Sequence, residues 1–306
     1  MSKVTKIFAG LFTAALTLLP LAASVQAADV YKPFVLASRG PGDMGAKVTE
    51  VKNALKGAGF NIVADYQPYD GAQIIIFTND ALKSVAAKSE YGGYAMAQRA
   101  AVTQVGDELQ VSYVNPVYMA NAYRLKSDLA KTADALANAL GKEQEFGSEK
   151  GLTERKLARY HYTFGMEYFP DQYELASYGS HAEAVAAVEK NLASNNVGVR
   201  QIYRLDVPGK EETIFGVSMT AGPDGDQYMD DAFQMGVVDF GELKGTPYLP
   251  YEVMVTGNRV VAMHMRFRMA MHYPDLKMMG ANSFMKLMAS PEAIRKALTT
   301  AVGGNS

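Results

Sequence analysis

Apolar and polar positions fall into two successive blocks that run through the same order of periods. In the first, residues 31–38 form a short apolar run ending at Gly40-Pro41-Gly42. Val48, Val51, Leu55 and Ala58 then recur at helical spacing, and Gly57 and Gly59 stop the helix. Residues 60–66 and 73–78 are rich in branched and aromatic side chains and predict strands. Asn79 is placed to cap a short helix reaching Lys88, and a Gly/Tyr loop follows over 90–95. Segments 100–105 and 108–114 flank Gly106-Asp107, a hairpin signal. Ser127 is placed to cap a last helix carrying Leu129, Ala133, Leu136 and Leu140 and closed by Gly141.

The second block retraces this path. Residues 160–166 read as a strand, and 182–193 as a helix with Val185, Val188 and Leu192 on one face. Segments 197–205 and 213–219 match the two central strands, and 251–255 with 259–271 predict a hairpin around Gly257-Asn258. Ser290-Pro291 predicts a terminal helix, with the serine as cap and the proline in its first turn. The expected fold is therefore α+β: a duplicated strand–helix–four strands–helix module, each with an antiparallel sheet and helices on one face. The modules span residues 28–142 and 159–306, with the polar stretch 143–158 as linker. Two separate domains and a pseudo-symmetric pair sharing one sheet both satisfy the pattern.

The run over 48–66, VTEVKNALKGAGFNIVADY, is followed later by Asn115-Pro116-Val117-Tyr118-Met119-Ala120. Together they resemble the family called domain of unknown function 302. In that family a helix leads into a Gly-Phe strand start, and an Asn-Pro segment closes the last strand before the C-terminal helix. The resemblance spans residues 30–141; the second half lacks both signatures and reads as a diverged copy. It implies a compact module of the TATA-binding-protein-like type and carries no established activity.

Ahead of the first block, Lys3 and Lys6 precede a nearly uncharged apolar run over 7–21, and Val25-Gln26-Ala27 offers the small-x-small pattern of signal-peptidase cleavage. The apolar run is about 15 residues, short of the ~20 needed to span a bilayer, and Pro20 interrupts its end. Residues 1–27 are expected to be a signal peptide removed near Ala27. That leaves a periplasmic or secreted chain without stable membrane insertion. Lys+Arg 30 against Asp+Glu 32 gives a formal charge of −2 over 306 residues, so no basic field points to nucleic acid. The absence of cysteine excludes disulfides, thiolate metal sites and thiol nucleophiles.

No His-Glu-x-x-His, Gly-x-Ser-x-Gly, Walker or dinucleotide-binding template occurs, and His161, His181, His264 and His272 are scattered. Pro223-Asp224-Gly225-Asp226 lacks the twelfth-position glutamate of a calcium loop and reads as a turn. The most unusual segment is VAMHMRFRMAMHY over 261–273. As a strand it puts Val261, Met263, Met265, Phe267, Met269 and Met271 on one face, and His264, Arg266, Arg268 and His272 on the other. The methionines then pack, with Met254, Met278, Met279, Met285 and Met288 as further partners. The opposite face forms a positive stripe, suited to an anionic ligand or to surface pairing with acids such as Asp239, Glu242 and Asp275.

The matching first-half segment, 110–123, brings Tyr113, Asn115, Tyr118, Asn121 and Tyr123 near a strand end. With Tyr91, Tyr94 and Arg99 these residues line a pocket between sheet and loop, or simply pack with their hydroxyls in water. Aligning the halves sets Tyr113 opposite His264 and Asn115 opposite Arg266. The expected function is binding, by an exported non-enzymatic protein, of a small ligand or a periplasmic protein partner. The ligand is anionic if the stripe is the site. Two alternatives remain: an enzyme with a dispersed Tyr/Arg/His site, and copper or haem handling by the Met/His-rich second half. The metal reading requires His264 or His272 beside a methionine sulfur; the pattern itself demands no cofactor.

Overall fold

A computed structural model describes residues 29–194, 197–222 and 225–305; the expected signal peptide and the start of the 223–226 turn lie outside the described residues. The chain opens with β1 (Val30–Tyr31), β2 (Phe34–Gly40), α1 (Met44–Gly57), β3 (Asn61–Tyr66), β4 (Ala72–Thr78) and α2 (Asp80–Lys88). β5 (Gln98–Val105), β6 (Glu108–Val114), α3 (Pro116–Ala122) and α4 (Ala130–Leu140) complete the first half. A connecting stretch holds β7 (Gln144–Phe146), β8 (Leu152–Thr153) and α5 (Glu154–Leu157). The second half runs β9 (Gln172–Ser177), α6 (His181–Ser194), β10 (Val199–Asp206), β11 (Glu212–Met219) and α7 (Asp231–Val238). It closes with β12 (Tyr251–Thr256), β13 (Arg259–Met263), α8 (Met265–His272) and α9 (Ser290–Ala301).

The signals that start and turn these elements are local. Asn79 Oδ1 accepts from the Leu82 amide at 2.9 Å and opens α2. Gly106 and Gly257, at φ of 60° and 55°, turn the β5–β6 and β12–β13 hairpins where a side chain would be strained. Hydrogen bonds order one sheet β3-β4-β5-β6-β2-β7 and the other β10-β11-β12-β13-β9, with every neighbouring pair antiparallel. The fold is α+β. The five strands of the second sheet follow the same order as the first five of the first sheet, and among the described residues no strand hydrogen-bonds the two sheets together.

One face of the first sheet carries α1, α2 and α4: Val51, Leu55, Leu82 and Leu136 pack on Ile75, Phe77, Val102 and Val111. The other face meets the second half. Thr103 Oγ1 donates to Thr246 Oγ1 at 2.8 Å, Ser112 Oγ donates to Lys244 O, and Gln110 bonds both Glu242 O and Lys244 N. The exchange is reciprocal. A short 3-10 helix of the first half, Gly92–Ala95, lies on the second sheet, and the Gly93 amide donates to Glu212 Oε1 at 2.8 Å. A Cβ at Gly93 would stand 3.1 Å from that oxygen and from Met254 Cε, so a side chain there would push both neighbours aside by a few tenths of an ångström. Each half thus lends a 3-10 helix from its mid-sheet connection, Gly92–Ala95 or Thr246–Tyr248, to the other's sheet. A single apolar core runs across the junction.

Several local expectations need correction. The 143–158 stretch is not a free linker: β7 pairs with β2 as the edge of the first sheet, and β8 pairs with β1. Residues 160–166 form no strand. Gly165 turns there at φ 79°, and Tyr160 and Tyr162 instead donate to the carbonyls of Ala270 and Leu276. The role of first strand falls to β9, where Tyr173 and Leu175 alternate inward. Ser127 sits before the helix, its Oγ accepting from the Leu129 amide, and α4 starts at Ala130. Ser290 is the first residue of α9 rather than its cap. Of the methionines expected to pack, Met254 is buried, but Met278, Met279, Met285 and Met288 are exposed.

Candidate functional site

The 259–271 strand is the largest correction. β13 ends at Met263, and Met265–His272 is the helix α8. The alternation over 261–271 is therefore not a two-faced strand. Arg268 and His272 lie four apart on one side of α8 and are fully buried, while His264 and Arg266 group around Glu167 at its start. The same handover occurs in the first half, where β6 ends at Val114 and α3 follows. Asn115 and His264 are the respective N-caps: Asn115 Oδ1 accepts from Val117 N at 3.2 Å, and His264 Nδ1 accepts from Arg266 N at 3.4 Å. Asn115 thus corresponds to His264, not to Arg266, because β13 spans 5 residues against 7 in β6.

His264 Nε2 lies 3.2 Å from Glu167 Oε1. Burial holds the imidazole down at about 4, against the pull of Glu167, so the neutral ring accepts at Nδ1 and donates at Nε2. Arg266 also pairs with Glu167. Burial alone would raise the Glu167 carboxyl, but the Arg266 hydrogen bond brings it below its ordinary range.

Arg268 is the centre of a buried, charged junction between the sheets. Its Nη2 donates to Tyr248 O at 2.5 Å and Pro250 O at 2.6 Å, and its guanidinium stacks 4.0 Å and 4.5 Å from the Tyr248 and Tyr251 rings. From the first half, Arg99 Nη1 reaches Pro250 O at 3.4 Å and Glu252 Oε2 at 3.3 Å; Tyr203 donates to Glu252 Oε1 at 2.6 Å. Burial, then the adjacent Arg268 and Arg99 charges, hold His272 well below the usual histidine range, and its Nδ1 is 2.7 Å from Arg268 O. The structure brings Arg99, Arg268 and His272 to this junction. It does not bring Tyr113, Tyr118 or Asn121 there as ligand groups: their polar atoms donate to Gly141 O, Met271 O and Val117 O. Asn115 also donates to Lys32 O.

Glu252, Glu212 and Tyr203 are the partners that the sequence reading missed. A lone glutamate inside the apolar strand run of β12 was the available signal, because a buried carboxylate requires a cation or several donors. Asp231 was missed as well. It is buried at the start of α7, and its Oδ2 accepts from the Tyr66 hydroxyl at 2.6 Å and the Met219 amide at 2.9 Å. Burial raises its carboxyl to about 7 despite both bonds.

Open space lies at the edges of this junction. The larger cleft, about 910 Å³, sits where β3 approaches β10, alongside α9. Val197, Met229, Ala293 and Ala297 give it an apolar floor, while Ser218, Thr220 and Thr300 add hydroxyls. Arg200 and Lys296 supply exposed cations, and among the described residues no carboxylate pairs with either. Asp226 also borders the cleft, its Oδ1 occupied by the Tyr228 amide. Among the described residues no cluster of three or more His, Asp or Glu side chains is arranged to hold a metal ion. Compared with protein-family models, curated proteins and solved structures, the chain matches none of them.

Proposed function

We propose that this chain is an exported, non-catalytic binding protein that takes a small anionic solute with an apolar body into the cleft between β10, β11 and α9. One observation carries the reading: a cleft of ligand size sets two exposed cations, Arg200 and Lys296, which no carboxylate pairs with among the described residues, beside an apolar lining. Guanidinium and ammonium groups favour carboxylate or phosphate, Arg in a bidentate fork. Arg266, Arg268 and His272 are spent on internal partners, which supports placing the ligand in this cleft rather than against them. Binding is favoured over catalysis because Asp231, His264 and His272, whose ionisation is strongly shifted, each hold a structural hydrogen bond. The 1–27 segment supports export to a periplasm, and the matching strand orders support an internal duplication.

The test is isothermal titration of the mature chain with glutarate, benzoate and inorganic phosphate as probes, alongside Arg200→Glu/Lys296→Glu. Saturable binding of one of them, lost in the charge-reversed variant, supports the reading. Binding unchanged by the double substitution, or none by any probe, overturns it.

A further inference from the structure

A second pocket, of about 360 Å³, opens at the opposite edge of the junction, between β2, β7 and the loop after α7. Its chemistry is the reverse of the first. Phe34, Phe146 and Tyr273 form one wall, with ring centroids 5.5 Å apart for Phe34–Phe146 and 5.8 Å for Phe34–Tyr273. Phe240 stands at the mouth with 60% of its surface exposed, an unusual place for a large apolar ring. Every ionisable side chain of the lining other than Tyr273 is acidic: Asp239, Glu242 and Asp275.

These acids are not equally occupied. Asp275 accepts from Ser148 Oγ and the Glu149 amide, and Glu242 is paired with Arg39 at 3.0 Å on the surface. Asp239 accepts the Gly245 amide at Oδ1, at 2.7 Å; among the described residues its Oδ2 is buried and has no direct hydrogen bond, while the Thr246 hydroxyl and Lys244 act on the carboxyl from nearby. A buried carboxylate is costly, and a cation held in the pocket compensates it through the field rather than by direct contact with Oδ2. Lys244 does not supply one directly: its Nζ donates to the Asp239 and Gly241 carbonyls, 2.9 Å from each.

We propose that this pocket binds a small organic cation, an ammonium group carried on an apolar or aromatic body. The ammonium lies toward the acidic side of the pocket with the accessible Phe146 and Phe240 rings beside it, as cation–π attraction and charge pairing both direct, and the apolar body covers the remaining open apolar lining. The site is independent of the anion cleft, so failure of either leaves the other standing.

The experiment is titration of the mature full-length chain with phenethylammonium, followed by two-dimensional NMR, with 2-phenylethanol and phenylacetate as the neutral and anionic isosteres. The cation is expected to bind about tenfold more tightly than either isostere, shifting resonances around Phe240 and Gly245. Phe240→Ala, an exposed substitution that leaves the core intact, is expected to weaken it by about fivefold. Asp239→Asn, which keeps the acceptor for Gly245, is expected to narrow the preference over phenylethanol. Equal binding of the three probes, shifts confined to another surface, or binding indifferent to Phe240→Ala would each overturn the proposal.

Discussion

Arg99 and Glu252 are a buried pair joining the two halves, and their value lies in what remains when one is taken away. Both side chains are almost completely buried, and among the described residues Glu252 has Arg99 and Tyr203 as its close side-chain partners. Arg99→Met strands a carboxylate in the core and is expected to cost about 3–5 kcal/mol in urea unfolding. Adding Glu252→Gln to that variant is expected to recover part of the loss, which separates a stranded charge from lost packing. The buried ionisable groups also give opposite pH dependences. Asp231, at about 7 when folded against an ordinary 3.8, keeps a proton that the unfolded chain releases, so its contribution is lost as pH rises from about 4 to 7. His264, at about 4 against 6.5, is the reverse: the unfolded chain takes up the proton, and stability is lost as pH falls through that window. Asp231→Asn is expected to raise Tm more at pH 8 than at pH 5, and His264→Asn to flatten the acid side only. Parallel Tm–pH profiles for wild type and both variants would contradict these assignments.

At the scale of elements, the two strand-to-helix handovers test the sequence reading most sharply. In the first half Asn115-Pro116 marks the change, since proline is tolerated at a first helical turn and not within a central strand. The second half has no such mark, and the alternation of Met with Arg and His over 263–268 imitates a strand while the residue types themselves favour helix. That is why the hairpins, the α1 and α6 helices and the α+β class were legible, while the site was not: a false period put His264 and His272 on one face. The clefts were illegible for another reason, because they form where distant elements meet. Asn115→Ala is expected to cost about 1–2 kcal/mol by removing the α3 cap. Glycines divide by surroundings. A Cβ at Gly216 would fall 1.9 Å from Tyr203 Cε1, so Gly216→Ala disrupts the β10–β11 register. Gly236 in α7 faces open space, and Gly236→Ala is expected to stabilise by about 0.5–1 kcal/mol. Thermal unfolding of the two alanine variants side by side checks the contrast.

At the scale of the molecule, the reciprocal loan of 3-10 helices decides how the chain folds. The first sheet's inner face carries Arg99, Thr103, Gln110 and Ser112, all bonded to the second half. The second sheet's inner face carries Glu212 and Glu252, bonded to the first. Separated, the halves lose these bonds, with only Lys210 left to Glu212 and Tyr203 to Glu252 within their own half, and each would expose an apolar face that the core now covers. The outer helices of the first half, with their own packed cluster, still supply a nucleus of local structure. Fragments 29–158 and 159–306, expressed separately, are therefore expected to lack native dispersion in NMR spectra, with residual helix in the first. Mixing them is expected to restore the spectrum of the intact chain, and the intact chain is expected to unfold in one calorimetric transition rather than two. A native-like spectrum from either fragment alone, or two resolved transitions, would mean that the inner faces tolerate water and that the exchange of caps adds orientation rather than stability.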